Sequence, residues 1–97
     1  MKALEFLPDV QPEIREAYRW YERQRKRLGK QFHDELKTVF ARIQRLPEVY
    51  APIHADVRFA VANRFPYVVY YRVLDEVILV IAVLHQSRDP NVWMFRI

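Results

Sequence analysis

The chain has no cysteine and a single glycine among its 97 residues. Without cysteine it can form neither disulfides nor thiolate metal sites. One glycine leaves no room for the Gly-rich loops that cradle phosphates. Long apolar runs are also missing. The longest, Val77 to Leu84, has eight residues, against the ~20 needed to cross a bilayer. The start, Met1-Lys2-Ala3-Leu4-Glu5-Phe6-Leu7-Pro8, carries charge inside its short apolar run and shows no cleavage-type tail, so no signal peptide is read there. No His/Asp/Glu spacing marks a metal site, and no glycines flank Ser87 as a nucleophile elbow would require. These absences predict a cytoplasmic protein with no metal, no cofactor and no membrane association. A chain of this length predicts one domain, 1–97, that buries roughly 60–70% of its unfolded surface.

The formal charge is +4. That fits an acidic partner or a nucleic acid, and it fits an ordinary solvated surface as well. Arginine prevails over lysine, which favours planar, two-pronged contacts to carboxylate or phosphate.

Ala3 to Leu7 reads as a short strand, broken by Pro8-Asp9. Pro12 suits a first helical turn. Ile14, Ala17, Tyr18 and Tyr21 follow helical spacing, with Arg15, Arg19, Glu22 and Lys26 opposite. Gly29 is expected to take the left-handed conformation that ends this helix. A second helix carries Phe32, Leu36, Val39, Phe40 and Ile43 and stops at Pro47. The short link predicts an antiparallel helical hairpin. Glu48 to Asp56 reads as a loop, with Pro52 preventing regular pairing. Val57 to Ala62 alternates as a strand. Tyr67 to Val73 and Val77 to Leu84 are rich in β-branched and aromatic residues. Asp75-Glu76 is too short for a parallel crossover, so these two pair antiparallel. Ser87 to Ile97 is a tail that suits a short helix or an added strand. The fold class is therefore α+β: an N-terminal strand and an antiparallel helical hairpin packed on a small, mainly antiparallel β-sheet.

Val77 to Leu84 is apolar at every position. A strand with one wet face should alternate. Both faces of this strand must be covered, and two helices cover only one. The expectation is an apolar patch on the other face, partly shielded by the tail and otherwise open to a partner.

The order of elements and several local pieces resemble the RelE/ParE toxins of bacterial toxin–antitoxin pairs, in particular the ParE, or plasmid-stabilisation, branch. The pieces are Glu16-Ala-Tyr-Arg-Trp-Tyr-Glu22, Leu28-Gly29 with Phe32 and Glu35-Leu36, Asp56-Val57-Arg58, and Phe65-Pro-Tyr-Val-Val-Tyr-Tyr-Arg72 with His85 and Ser87-Arg88-Asp89-Pro90. The resemblance implies the toxin of a type II pair, neutralised by direct binding of a cognate, ParD-like antitoxin. It implies DNA gyrase as the target for a ParE-like member. For a RelE-like member it implies ribosome-bound messenger RNA, cut by an endoribonuclease.

RNA cleavage needs a proton-transfer group and cations on the scissile phosphate. His85 is the candidate acid or base, since imidazole gains and loses a proton near neutral pH. It equally suits a structural place at a strand end. His33 and His54 read as solvated. Arg58, Arg64, Arg72 and Arg88 are candidate contacts to target or antitoxin. Their structural alternatives are cross-strand ion pairs for Arg58 and Arg72, a turn for Arg64, and a pair with Asp89 or a hold on the tail for Arg88. Trp20 lies to one side of the helical stripe and is expected to be partly exposed and open to an antitoxin. RelE-like nucleases resemble one another in having lysines or arginines in the middle strands and a tyrosine or histidine near the C-terminus. Here no lysine lies between Asp56 and Leu84, and the chain ends Trp93-Met-Phe-Arg-Ile97. That departure favours the non-enzymatic, gyrase-directed reading.

Overall fold

The computed structural model describes residues 1–97, the side chain of Pro90 excepted. Strand β1 (Ala3–Phe6) leads into helix α1 (Val10–Gln24) and helix α2 (Leu28–Arg45). Strands β2 (Pro52–His54), β3 (Val57–Val61), β4 (Tyr67–Val73) and β5 (Val77–His85) follow, and a 3₁₀ helix (Pro90–Arg96) ends the chain. The sheet order is β1-β5-β4-β3-β2. Only the β1–β5 pairing is parallel. It is parallel because the whole helical hairpin and three strands intervene before β5 returns beside β1. This is the expected α+β architecture.

The hairpin covers one face of the sheet. Ile14, Ala17 and Tyr21 of α1 and Phe32, Leu36, Val39 and Ile43 of α2 form one apolar cluster with Ala60, Val69, Tyr71, Val80 and Val83. Two sequence expectations fail here. Gly29 has no left-handed backbone; that conformation belongs to Arg27, at φ 73°. Gly29 instead lies inside α2, buried where α1 passes. A Cβ there would sit 2.6 Å from the Tyr18 carbonyl oxygen and 2.6 Å from Glu22 Cγ. The glycine therefore permits a close helix–helix approach. Pro52 does not exclude pairing either. Pro52–His54 is a short strand at the sheet's edge with an irregular register to β3, and an edge strand tolerates proline at its first position.

The other face is not left open. Val57, Ile81, Ala82 and Leu84 form a second cluster under Trp93, which is 2% exposed. The Trp93 ring stacks on Tyr70 at 5.5 Å and meets His54 at 5.8 Å. From Ile78 to Leu84 every β5 residue except Leu79 is buried. The C-terminal 3₁₀ helix thus does what a partner was expected to do. One tryptophan covers more area than the sequence pattern allowed for.

A β-bulge places the end of β5. Tyr70 pairs with Ala82 and Tyr71 with Val80, so Ile81 has no partner. Up to Val80 the even-numbered residues face the helices. Beyond the bulge Val83 does so, and His85 follows in phase. Without the extra residue, His85 would lie on the Trp93 side. Bulges commonly re-aim a side chain in this way.

Candidate functional site

The re-aimed strand end opens onto a groove of about 470 Å³ between α1 and the β4–β5 rim. Its floor is aromatic. Tyr21 and Tyr67 lie 6.2 Å apart, and both pack against Phe32. His85 meets Tyr67 edge-on at 5.4 Å. Trp20, 50% exposed, forms one wall and contacts Tyr21 at 5.1 Å. Arg23, Glu16 and Arg88 stand at the mouth.

Helix periodicity puts Trp20 here. Ala17 and Tyr21 are pinned to the sheet, and Trp20 flanks them one step round the helix. Burial raises the Tyr67 hydroxyl above the ordinary phenol range, with Tyr21 and Glu16 adding to the effect and Arg88 opposing it. Burial also raises Tyr21. Both rings therefore present neutral hydroxyls at neutral pH.

The His85 ring is turned back on its own chain. Its Nδ1 accepts the Ser87 backbone N–H at 3.0 Å, and Ser87 Oγ lies 2.8 Å from the same nitrogen. In the neutral ring the proton therefore sits on Nε2. The nearby Asp89 carboxylate accepts the Asn91 N–H at 2.9 Å and starts the C-terminal helix. Arg88 pairs with no carboxylate among the described residues.

At the deep end a clasp closes the groove. Arg96 donates to Glu13 through two nitrogens, at 2.6 and 3.1 Å, and to the carbonyl of the bulged Ile81 at 3.0 Å. The same Glu13 carboxylate accepts the Val83 N–H at 3.1 Å. Sequence reasoning missed this pair. Glu13 read only as a favourable charge in a first turn, and no spacing rule links residues 83 positions apart.

Of the residues singled out in the sequence, Trp20, His85 and Arg88 line this one groove. The other three do not. Arg64 lies in the β3–β4 turn. Its N–H donates to Glu35 at 2.7 Å and its guanidinium is 3.8 Å from the same carboxylate. Arg72 forms a two-pronged bond to Asp56 at 3.0 and 3.1 Å, which holds that carboxyl below the usual range. Arg58 makes no cross-strand ion pair. Its guanidinium donates to the carbonyls of Tyr50 and Glu48 and ties down the loop after α2. Both histidines read as solvated, His33 and His54, are exposed; His54 lies in β2, not in a loop, with its ring 5.8 Å from that of Trp93.

The cations a nuclease would gather on one phosphate are therefore dispersed. Tyr67, which pairs with His85, and Arg72 are five residues apart on β4, or about 17 Å at ~3.3 Å per residue. Among the described residues no three His, Asp or Glu side chains are grouped to hold a metal ion. Nor, among those residues, is any helix long and apolar enough to cross a membrane. The groove can bind: it offers an apolar wall and floor with cations at the lip.

A strand, a helical hairpin and an antiparallel run closed by one parallel pairing define a known class of small α+β fold. The solved structure described as "Chromosomal ParDE TA system from P. aeruginosa" contains a chain of this fold, with a TM-score of 0.66 and 15% identity over 88% of this chain and 96% of that one. No curated protein matches the sequence significantly. The family described as ParE toxin of type II toxin-antitoxin system, parDE, matches residues 4–90. The chain belongs to the ParE toxin family of type II toxin–antitoxin systems.

Proposed function

We propose that this chain is held inactive by a cognate antitoxin lying in the Trp20–Tyr67–Arg88 groove, and that the free toxin arrests growth in the cytoplasm by binding DNA gyrase. Family membership supports both partners. The groove supports the first: a half-exposed tryptophan beside two tyrosine rings is the kind of anchor that concentrates binding energy. Arg88 and Arg23 at the lip suit an acidic segment.

One observation favours binding over RNA cleavage. The imidazole of His85 stands apart from Arg58 and Arg72, which are engaged by Tyr50 and Asp56. Of Arg58, Arg72 and Arg88, a phosphate beside His85 would meet only Arg88, with Arg23 at the same groove mouth. The test is supercoiling by gyrase with purified toxin. Inhibition relieved by added antitoxin is the expected result. Full supercoiling at concentrations that arrest growth removes gyrase as the target. Cleaved messenger RNA in arrested cells, lost with His85→Ala, replaces this reading with the RelE-like one.

A further inference from the structure

We propose that the outward face of α1, with the turn that follows it, binds the phosphate backbone of duplex DNA. Residues 15–27 hold six cations and two carboxylates, a net +4 that equals the formal charge of the entire chain. The other 84 residues balance at ten of each sign. Arg15, Arg19 and Arg23 recur every fourth residue, so they stack on one face, about 6 Å apart along the axis at ~1.5 Å per residue. All three border one shallow depression of about 380 Å³, together with Glu16. Arg25, Lys26 and Arg27 continue the row into the turn, and all six cations are exposed.

None of the six has a carboxylate within 4 Å among the described residues. Glu22, the other acid of the segment, is turned away and accepts the Gly29 N–H at 2.8 Å. Like charges at this spacing weaken a helix, so the row costs stability and gains no internal partner in return. A straight ridge of unpaired guanidiniums is complementary to a line of regularly spaced anions.

The chemistry of the ridge separates duplex from other anionic partners. A protein interface needs a desolvated apolar centre, and of the ridge only Arg23 borders one, the Trp20 groove. Trp20 turns into the groove on one flank, and Tyr18 lies beside His33 on the other. A membrane-surface helix sinks an apolar face into lipid. The apolar face of α1 is already buried against the sheet. A nucleic-acid backbone asks only for spaced cations.

The full chain, without antitoxin, is titrated against a short fluorescent duplex of arbitrary sequence over a salt series. Binding is expected to fall with salt at a log–log slope of about −3.5 to −5.5, for roughly four to six phosphate contacts. Arg19→Gln/Arg23→Gln should reduce that slope by about two and weaken binding at ~0.1 M salt by more than about tenfold. Arg45→Gln/Arg64→Gln removes the same charge from exposed positions that share no depression with the ridge. It should change binding by less than about threefold, because screening at ~0.1 M confines charge effects to ~10 Å. A melting midpoint no lower than the parent's in both double variants excludes a folding cause. Absence of salt-dependent binding overturns the proposal, as do equal losses in the two variants. Tighter binding to phosphatidylserine vesicles, to single strands, or to polyglutamate of matched charge also overturns it. Gyrase inhibition is measured separately, so a duplex-binding toxin that spares gyrase refutes only the other proposal.

Discussion

Arg96, the penultimate residue, grips Glu13 in the first turn of α1 with two hydrogen bonds of 2.6 and 3.1 Å across 83 positions of sequence. The two side chains are only 14% and 16% exposed. The pair raises the Arg96 guanidinium further above its usual value. Through Ile81 and Val83 it also satisfies backbone groups at and beside the bulge. Removing one partner leaves a shielded charge unmatched. Arg96→Ala and Glu13→Gln should each cost about 2–4 kcal/mol in denaturant unfolding. The double variant should cost less than the sum, by about 1 kcal/mol or more, because the two residues act as one unit. Additive losses would show that they do not support each other.

The C-terminal helix stands where an outside partner was expected, so its main anchor carries a prediction of its own. Trp93→Ala empties a site that is 2% exposed, above Val57, Ile81 and Leu84. Loss of about 3–5 kcal/mol follows from the missing transfer energy and the cavity. The uncovered β5 face should bind a hydrophobic dye in the variant and not in the parent. A variant as stable as the parent and without dye binding would mean that the sheet tolerates an open face.

Most of the architecture was legible because it rests on local periodicity. Of the two stripes, Ile14, Ala17 and Tyr21 and Phe32, Leu36, Val39 and Ile43 are buried as spaced, while Tyr18 is exposed and Phe40 half-buried, and β4 and β5 follow their β-branched runs. What escaped was non-local. Nothing in Val80-Ile81-Ala82 announces a bulge, since all three are apolar and only the partner strand reveals the unpaired residue. The bulge decides on which side His85 lies, so the groove itself was unreadable. Trp93 was visible as an aromatic in a tail, but not which face it would cover. Gly29 was misread because its demand comes from Tyr18 and Glu22 of another helix and not from its own backbone.

That demand gives a sign opposite to helix propensity. Alanine outranks glycine within a helix by about 1 kcal/mol, so Gly29→Ala would stabilise an isolated α2. Here the added methyl meets the Tyr18 carbonyl oxygen at 2.6 Å, and backbone cannot swing aside. Forcing the helices apart should outweigh the propensity gain and leave a net loss of about 1–3 kcal/mol. Thermal unfolding reads it directly. A raised midpoint would show that the hairpin can open without penalty.

Alkaline pH should weaken the fold through Tyr71. Its hydroxyl donates to the Pro47 carbonyl at 2.7 Å, the residue is fully buried, and burial pushes the phenol up from 10 to about 12. Between those values the unfolded chain has released the proton and the folded chain has kept it. The folded state then binds more protons, so stability falls as pH rises. The window from pH 10 to about 12 corresponds to at most about 2–3 kcal/mol. Tyr71→Phe should cost about 1 kcal/mol near neutrality for the lost hydrogen bond. The gap between parent and variant should close and then reverse as pH climbs through that window. A gap independent of pH would place the titration elsewhere.

Trp20 and Arg58 separate binding from folding. Trp20 is half exposed on the groove wall, and its loss disturbs little of the core. Trp20→Ala should weaken antitoxin binding by about 2 kcal/mol or more with a melting midpoint close to that of the parent. Arg88→Glu should act in the same direction, by repelling an acidic segment at the groove mouth. Arg58→Glu differs, because its guanidinium holds the carbonyls of Glu48 and Tyr50. The substitution releases that loop, so affinity and stability should fall together. Calorimetric titration of each variant beside its melting curve distinguishes the cases. Unchanged affinity for both Trp20→Ala and Arg88→Glu would move the antitoxin off this groove.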